Sequence, residues 1–175
     1  MNRHTSSAKA KRVALSAMLS ACSLVILYVA GYFPSGKMGM AAAAGLFPAA
    51  AVASCGFGAG FLCYAGTAAL ALLLVPDKNV ALIYLLFFGM YPMIKGLIEG
   101  LHRLVPELII KLLLFNAYAV LLARVFTGLF TEMIPAGNWS AGIMLLAANV
   151  VFLIYDYGFS KVITFYCLRI DRVMK

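Results

Sequence analysis

The sequence predicts an all-α polytopic membrane protein, a bundle of about six transmembrane helices. Three observations point there. Apolar residues fall into separate blocks of spanning length, the connections between blocks are too short to fold as a soluble domain, and the composition is far from that of a water-soluble chain. Hydrophobic residues make up 65% and charged residues 11%, with a mean hydropathy of +0.99, where soluble domains are roughly half apolar and a quarter charged. In 175 residues, six spans with their turns use nearly the whole chain. The expected organisation is one domain: a basic tail over 1–12, a transmembrane region over 13–168 and a second basic tail over 169–175. No Walker-type phosphate loop appears, so no ATPase module is expected within the chain.

The first span covers about 13–33, after a tail carrying Arg3, Lys9, Lys11 and Arg12. This run is too long for a signal-peptide core, and Val29-Ala30-Gly31 is a poor cleavage site, so it reads as a retained helix. The second span, about 38–54, is the weakest because residues 41–44 are all alanine; a five-span or broken-helix reading stays open there. Gly56, Gly58 and Gly60 predict a tight reversal into a third span, about 61–75. The cluster Pro76-Asp77-Lys78-Asn79 is a turn opening a fourth span that runs to about residue 98. Residues 100–106 then lead to a fifth span, about 107–130, and 135–138 to a sixth, about 139–166. Pro34, Pro48 and Pro92 lie at or inside spans, where proline ends or kinks a helix and neighbouring helices must satisfy the freed carbonyls.

Orientation follows from Lys and Arg. With the N-terminus inside, the inner side collects Arg3, Lys9, Lys11, Arg12, Arg103, Arg169, Arg172 and Lys175, and the outer connections hold only Lys37 and Lys78. Both termini are therefore expected in the cytoplasm of a cell whose plasma membrane holds the protein. The net charge of +8 is distributed as topology requires, not gathered on a soluble face, so no nucleic acid is expected as a partner. Cys22, Cys55, Cys63 and Cys167 form no CxxC pair and lie near no histidine, and His4 and His102 are far apart. Neither a zinc site nor a disulfide framework is indicated, and no metal or cofactor is expected. The cysteines read as small packing residues. No paired catalytic Asp, HExxH or Ser/His arrangement appears, so the chain is not expected to be an enzyme.

Charge inside spans is costly and therefore informative. Lys95 and Glu99 fall near the inner end of the fourth span, Glu107 and Lys111 near that of the fifth, and Asp156 and Lys161 at similar depth on the sixth. Both Lys95 with Glu99 and Glu107 with Lys111 are spaced i to i+4, so each pair can meet on one helix face. The six charges form either a self-neutralising layer that fixes packing or a coupling network that exchanges partners. Toward the outer end, Tyr32, Lys37, Tyr84, Arg124 and Trp139 lie at similar heights, and Asn116 and Asn149 are deeper. Those five could line a pocket for a small, partly apolar or anionic compound, or form an interfacial aromatic belt. On the first helix, Ala14, Ala17 and Ala21 share a face, and Ala17 with Ala21 forms an AxxxA motif that permits close helix approach, to a partner or within the bundle.

The stretch KRVALSAMLSA over 11–21, opening the first of six short helices behind a basic tail, resembles the S components of bacterial energy-coupling-factor transporters. The block FGMYPMIKGLIE over 88–99, followed by KLLLFN over 111–116, also looks like a group of bacterial membrane proteins with no established activity. The S-component resemblance implies a substrate-binding subunit in a bacterial cytoplasmic membrane, taking up a vitamin-like organic nutrient. It implies a transmembrane coupling subunit and two cytoplasmic ATPases as partners, with Ala17 and Ala21 in the docking helix. A non-transporting scaffold of the cell envelope and a self-sufficient ion-coupled carrier remain alternatives; the carrier would use the inner charged layer.

Overall fold

The computed structural model describes residues 3–99, 104–125 and 141–174, all helices and their connections, with no strand among them. Helices α1 (Arg3–Ala30), α2 (Lys37–Ala44), α3 (Leu46–Cys55), α4 (Phe57–Leu74) and α5 (Lys78–Ile83) are followed by a π-helical turn at Tyr84–Phe88. Then come α6 (Tyr91–Glu99), α7 (Leu104–Val125) and α8 (Ala141–Met174). Five helical stretches of the described residues are long and apolar enough to cross a membrane: Ala10–Ala30, Lys37–Cys55, Phe57–Leu74, Lys78–Glu99 and Leu145–Arg169. With 22 residues, α7 is about 33 Å long, also a spanning length. It covers the expected fifth span as far as Val125; the rest of that span lies outside the described residues. The protein is a helical membrane protein: Leu62, Leu73, Leu113, Leu146 and Ile154 are among many large apolar side chains on its surface, where hydrocarbon, not water, is the fitting solvent.

The chain forms two compact units, Met1–Gly96 with Val162–Lys175, and Leu97–Lys161. The core of the first is built largely from small residues. Ala30, Ala41, Ala44, Ala71 and Ala81 are buried with Leu27, Val75, Val80 and Tyr84, which lets backbones approach closely where lipid supplies no hydrophobic drive. Gly45 shows the requirement directly, because a Cβ there would overlap the Phe88 carbonyl. The second span is divided into α2 and α3 at Gly45, whose backbone keeps right-handed helical angles. Pro48 falls in the first turn of α3, where its missing N–H is not needed.

The fourth span is also interrupted. It passes from α5 through the π turn to a break at Gly89 and Met90, and Pro92 sits in the first turn of α6. The basic residues 3–12 are helical and form the first turns of α1. One further expectation is corrected. Of the three glycines expected in the reversal, only Gly56 makes the turn, with φ of 91°, while Gly58 and Gly60 already lie in α4. Gly60 instead meets Val52 side chain and Pro48 carbonyl at the α3–α4 contact.

One end of this unit is fastened by polar side chains. Lys37, opening α2, pairs with Asp77, which also caps α5 by accepting the Asn79 N–H at 3.0 Å. Lys78 donates to the carbonyls of Leu72 at 2.7 Å and Val75 at 3.0 Å, satisfying the exposed C-terminus of α4.

Candidate functional site

In the second unit, α7 and α8 run antiparallel, and one register carries three kinds of contact. Asn116 and Asn149 exchange amide hydrogen bonds at 2.9 and 3.0 Å. Each also donates its second N–H to the carbonyl one turn earlier, Leu112 or Leu145, at 2.8 Å. Beside them Phe115 and Phe152 stack with ring centres 4.4 Å apart. Further along, the Lys111 ammonium donates to Glu99 at 2.9 Å and Asp156 at 3.1 Å. These contacts together make a polar seam.

Burial differs across the charged cluster. Lys111 and Asp156 side chains are 7% and 14% exposed, against 42% for Glu99. Charge-assisted bonds of this length hold each charge in a medium that would otherwise penalise it. One ammonium between two carboxylates can neutralise one of them and polarise the other, which is the chemistry of a cation-responsive cluster or of a packing lock. Lys95, one turn before Glu99 on α6, is 3% exposed, and Glu107, one turn before Lys111 on α7, is half-buried. Lys161 is exposed, and its ammonium lies 5.4 Å from the Tyr157 ring centre. Of the six expected charges, Glu99, Lys111 and Asp156 are brought together, and these ion pairs run between helices, a partnership that i to i+4 spacing could not reveal.

The first unit holds neutral polar contacts. Ser23 donates to the Ala44 carbonyl at 3.0 Å and lies 3.3 Å from the Tyr84 hydroxyl. Tyr64 donates to the Leu85 carbonyl at 2.8 Å, and Ser20 reaches the carbonyl of Ser16 at 2.9 Å. Local spacing does not point to these partners; the only signal is the hydroxyls themselves, on α1 for Ser20 and Ser23 and on α4 for Tyr64.

No protein-family model matches the chain, and no curated protein or solved structure matches it either. The resemblance to S components therefore rests on sequence pattern.

The residues expected to bind substrate do not share one environment. Tyr32 follows the end of α1 and is 65% exposed. Its hydroxyl lies 3.0 Å from that of Tyr28, and this hydrogen bond, with the neighbouring phenol's charge, pushes the Tyr32 phenol above its ordinary range. Lys37 is half-buried and engaged by Asp77. Burial of Asp77 acts to raise its carboxyl, but the Lys37 hydrogen bond, the Asn79 N–H and the Lys37 charge together outweigh it and hold the group below the usual carboxylate value. Tyr84, in contrast, is 0% exposed and belongs to the core, because Ser23 gives its hydroxyl a partner there. Arg124 is in the last turn of α7 with its side chain outside the described residues, and Trp139 also lies outside them.

Ala14, Ala17 and Ala21 are all exposed, together with Met18, Cys22 and Val25 on the same side of α1. Ser16, Ser23, Leu27 and Ala30 occupy the buried side. The AxxxA face is thus not consumed by packing within its unit. Among the cysteines only Cys63 is buried; Cys22 is exposed on α1.

Proposed function

We propose that the protein is the substrate-binding membrane subunit of an S-component-type uptake system, docking on a transmembrane coupling subunit through α1. The exposed face formed by Ala14, Ala17 and Ala21 carries this reading. A small-residue surface lets a second helix approach to backbone contact, and leaving it open in a tightly packed alanine-rich unit suits a helix with an outside partner. Capture of a small organic nutrient is assigned to the end of the unit bearing Tyr32 and Lys37, with energy supplied by two partner ATPases. In such a system the Lys37–Asp77 pair would open to admit an anionic group, which would replace Asp77 on Lys37.

The test is copurification from the native membrane in mild detergent. Ala17→Leu and Ala21→Leu should abolish recovery of a membrane partner and two ATPases while leaving thermal unfolding unchanged, because both side chains face outward. Partner recovery that is equal in both variants and the parent would end the proposal. The ion-coupled carrier is favoured by one observation, the buried Lys111 between Glu99 and Asp156. Solute uptake by proteoliposomes of the purified chain alone, abolished in Lys111→Met, would establish the carrier instead.

A further inference from the structure

The end of the first unit opposite the Lys37–Asp77 pair brings together chain segments that are remote in sequence. Ser54, in the last turn of α3, is 3.1 Å hydroxyl to hydroxyl from Tyr166 of α8. The Cys55 thiol next to it donates to the Arg12 carbonyl of α1 at 4.0 Å. The α3–α4 turn therefore gathers the start of α1 and the far end of α8. At that level Lys11, Arg12 and Arg169 are exposed. The sequence places four Lys or Arg in residues 1–12 and three in 169–175, against the lone carboxylate Asp171 in those stretches.

Large apolar side chains begin within one turn of these cations. Val13 is 66% exposed beside Arg12, and Phe165 and Leu168 are similarly open beside Arg169. The surface thus changes from cationic to hydrocarbon-compatible over about one helical turn, about 5 Å. A phospholipid has the same profile, a phosphate joined to acyl chains, whereas an acidic soluble protein would satisfy the cations and leave Val13, Phe165 and Leu168 uncovered. We infer that Lys11, Arg12 and Arg169 form a binding surface for the phosphate headgroup of an anionic phospholipid whose acyl chains lie along Val13, Phe165 and Leu168. This inference is independent of the transport reading, since a scaffold or carrier would display the same surface.

Lipid retention on the full chain, read by native mass spectrometry after incubation with phosphatidylglycerol or phosphatidylcholine of identical acyl chains, tests it. Each cation near an anionic surface is worth about fivefold in binding. Phosphatidylglycerol should be retained at least about tenfold over phosphatidylcholine. The combined variant Lys11→Gln, Arg12→Gln, Arg169→Gln should lose that preference, and Lys11→Arg should keep it. Lys78→Gln, which removes an exposed cation at the opposite end of the same unit, should change retention less than about twofold. Equal retention of the two lipids by the parent chain would overturn the assignment. So would an undiminished preference in the triple variant with unchanged thermal unfolding, which would turn the surface toward an acidic protein. A loss in Lys78→Gln equal to that in the single substitution Arg169→Gln would reduce the effect to net charge and overturn the assignment. Displacement of phosphatidylglycerol by millimolar inorganic phosphate would identify a free anion as the ligand.

Discussion

Replacing Lys111 by Met keeps most of the side-chain stem and removes the ammonium that bonds Glu99 and Asp156. Breaking a buried ion pair by deleting one partner costs about 3–5 kcal/mol, because the remaining charge is left desolvated. Here the two carboxylates differ. Asp156 is 14% exposed and bears most of that loss, whereas Glu99 at 42% can turn toward solvent and adds little. The expected destabilisation is therefore near the lower bound, about 3 kcal/mol. For a cooperative chain of this length, about 2–4 °C accompanies each kcal/mol, so the melting temperature should fall by about 6–12 °C. Circular dichroism during thermal unfolding in one mild detergent reads the shift. Adding Asp156→Asn removes the stranded charge, so the double variant should be more stable than Lys111→Met alone. A fall of less than about 2 °C, or strict additivity of the two substitutions, would show that the cluster does not hold the α7–α8 pair and would refute the reasoning.

Asn116→Leu and Asn149→Leu should each cost about 0.6–1.7 kcal/mol, the range for interhelical hydrogen bonds in membranes, and the double variant should lose less than the sum because one reciprocal pair is removed. Gly45→Ala should prevent normal folding, seen as loss of the monodisperse peak in size-exclusion chromatography, since a Cβ would overlap the Phe88 carbonyl. Gly96→Ala, with nothing within 4 Å of its Cβ position, should stabilise by up to about 1 kcal/mol through helix propensity. The Lys37–Asp77 pair predicts acid sensitivity: the folded Asp77 pKa lies below its unfolded value, so its contribution is present above the unfolded value and disappears as pH falls through the folded one. Thermal unfolding measured from pH 7 downward should weaken below about pH 4, and Lys37→Met should lessen that dependence; an identical pH profile in the variant would contradict the pairing.

Hydropathy made the spans legible because bilayer thickness fixes their length, but it is blind to where a helix breaks or continues. The breaks near Gly45 and Gly89 were signalled indirectly by Pro48 and Pro92. Each lies in the first turn of a following helix, so each proline marks a new start just upstream. Nothing comparable announces the π turn at Tyr84–Phe88. The continuation of α1 back to Arg3 was readable in another way, since residues 3–30 contain neither glycine nor proline and offer no stop. Tyr84 near a span end resembles an interfacial anchor in sequence, and its place in the core depends on partners distant in the chain such as Ser23. Likewise the ionic partners of Lys111 depend on the register of α7 against α8 and on the end of α6, information that no local spacing contains.

The two units meet the shared problem of packing in lipid by different chemistry. In the first, alanines and Gly45 bring backbones together, and neutral hydroxyls such as Ser23 and Tyr64 tie helices to carbonyls. Its tolerance should be limited by volume, with methyl groups added in its interior doing harm and charge changes outside the Lys37–Asp77 pair doing little. In the second, stacked rings, paired amides and Lys111 with its carboxylates join the helices, so its tolerance should be limited by charge and hydrogen-bond balance. Such polar contacts gain their value from the absence of competing water. If water or a substrate ion reached Lys111, that value would fall, and the seam would loosen without any change in apolar packing. A packing lock and a cation-responsive cluster are thus the same arrangement under different access to solvent. Accessibility of a cysteine introduced at Leu112 to a membrane-impermeant thiol reagent, with and without the copurifying subunits, separates them: protection in both states fits a lock, and labelling in one state only fits a switch.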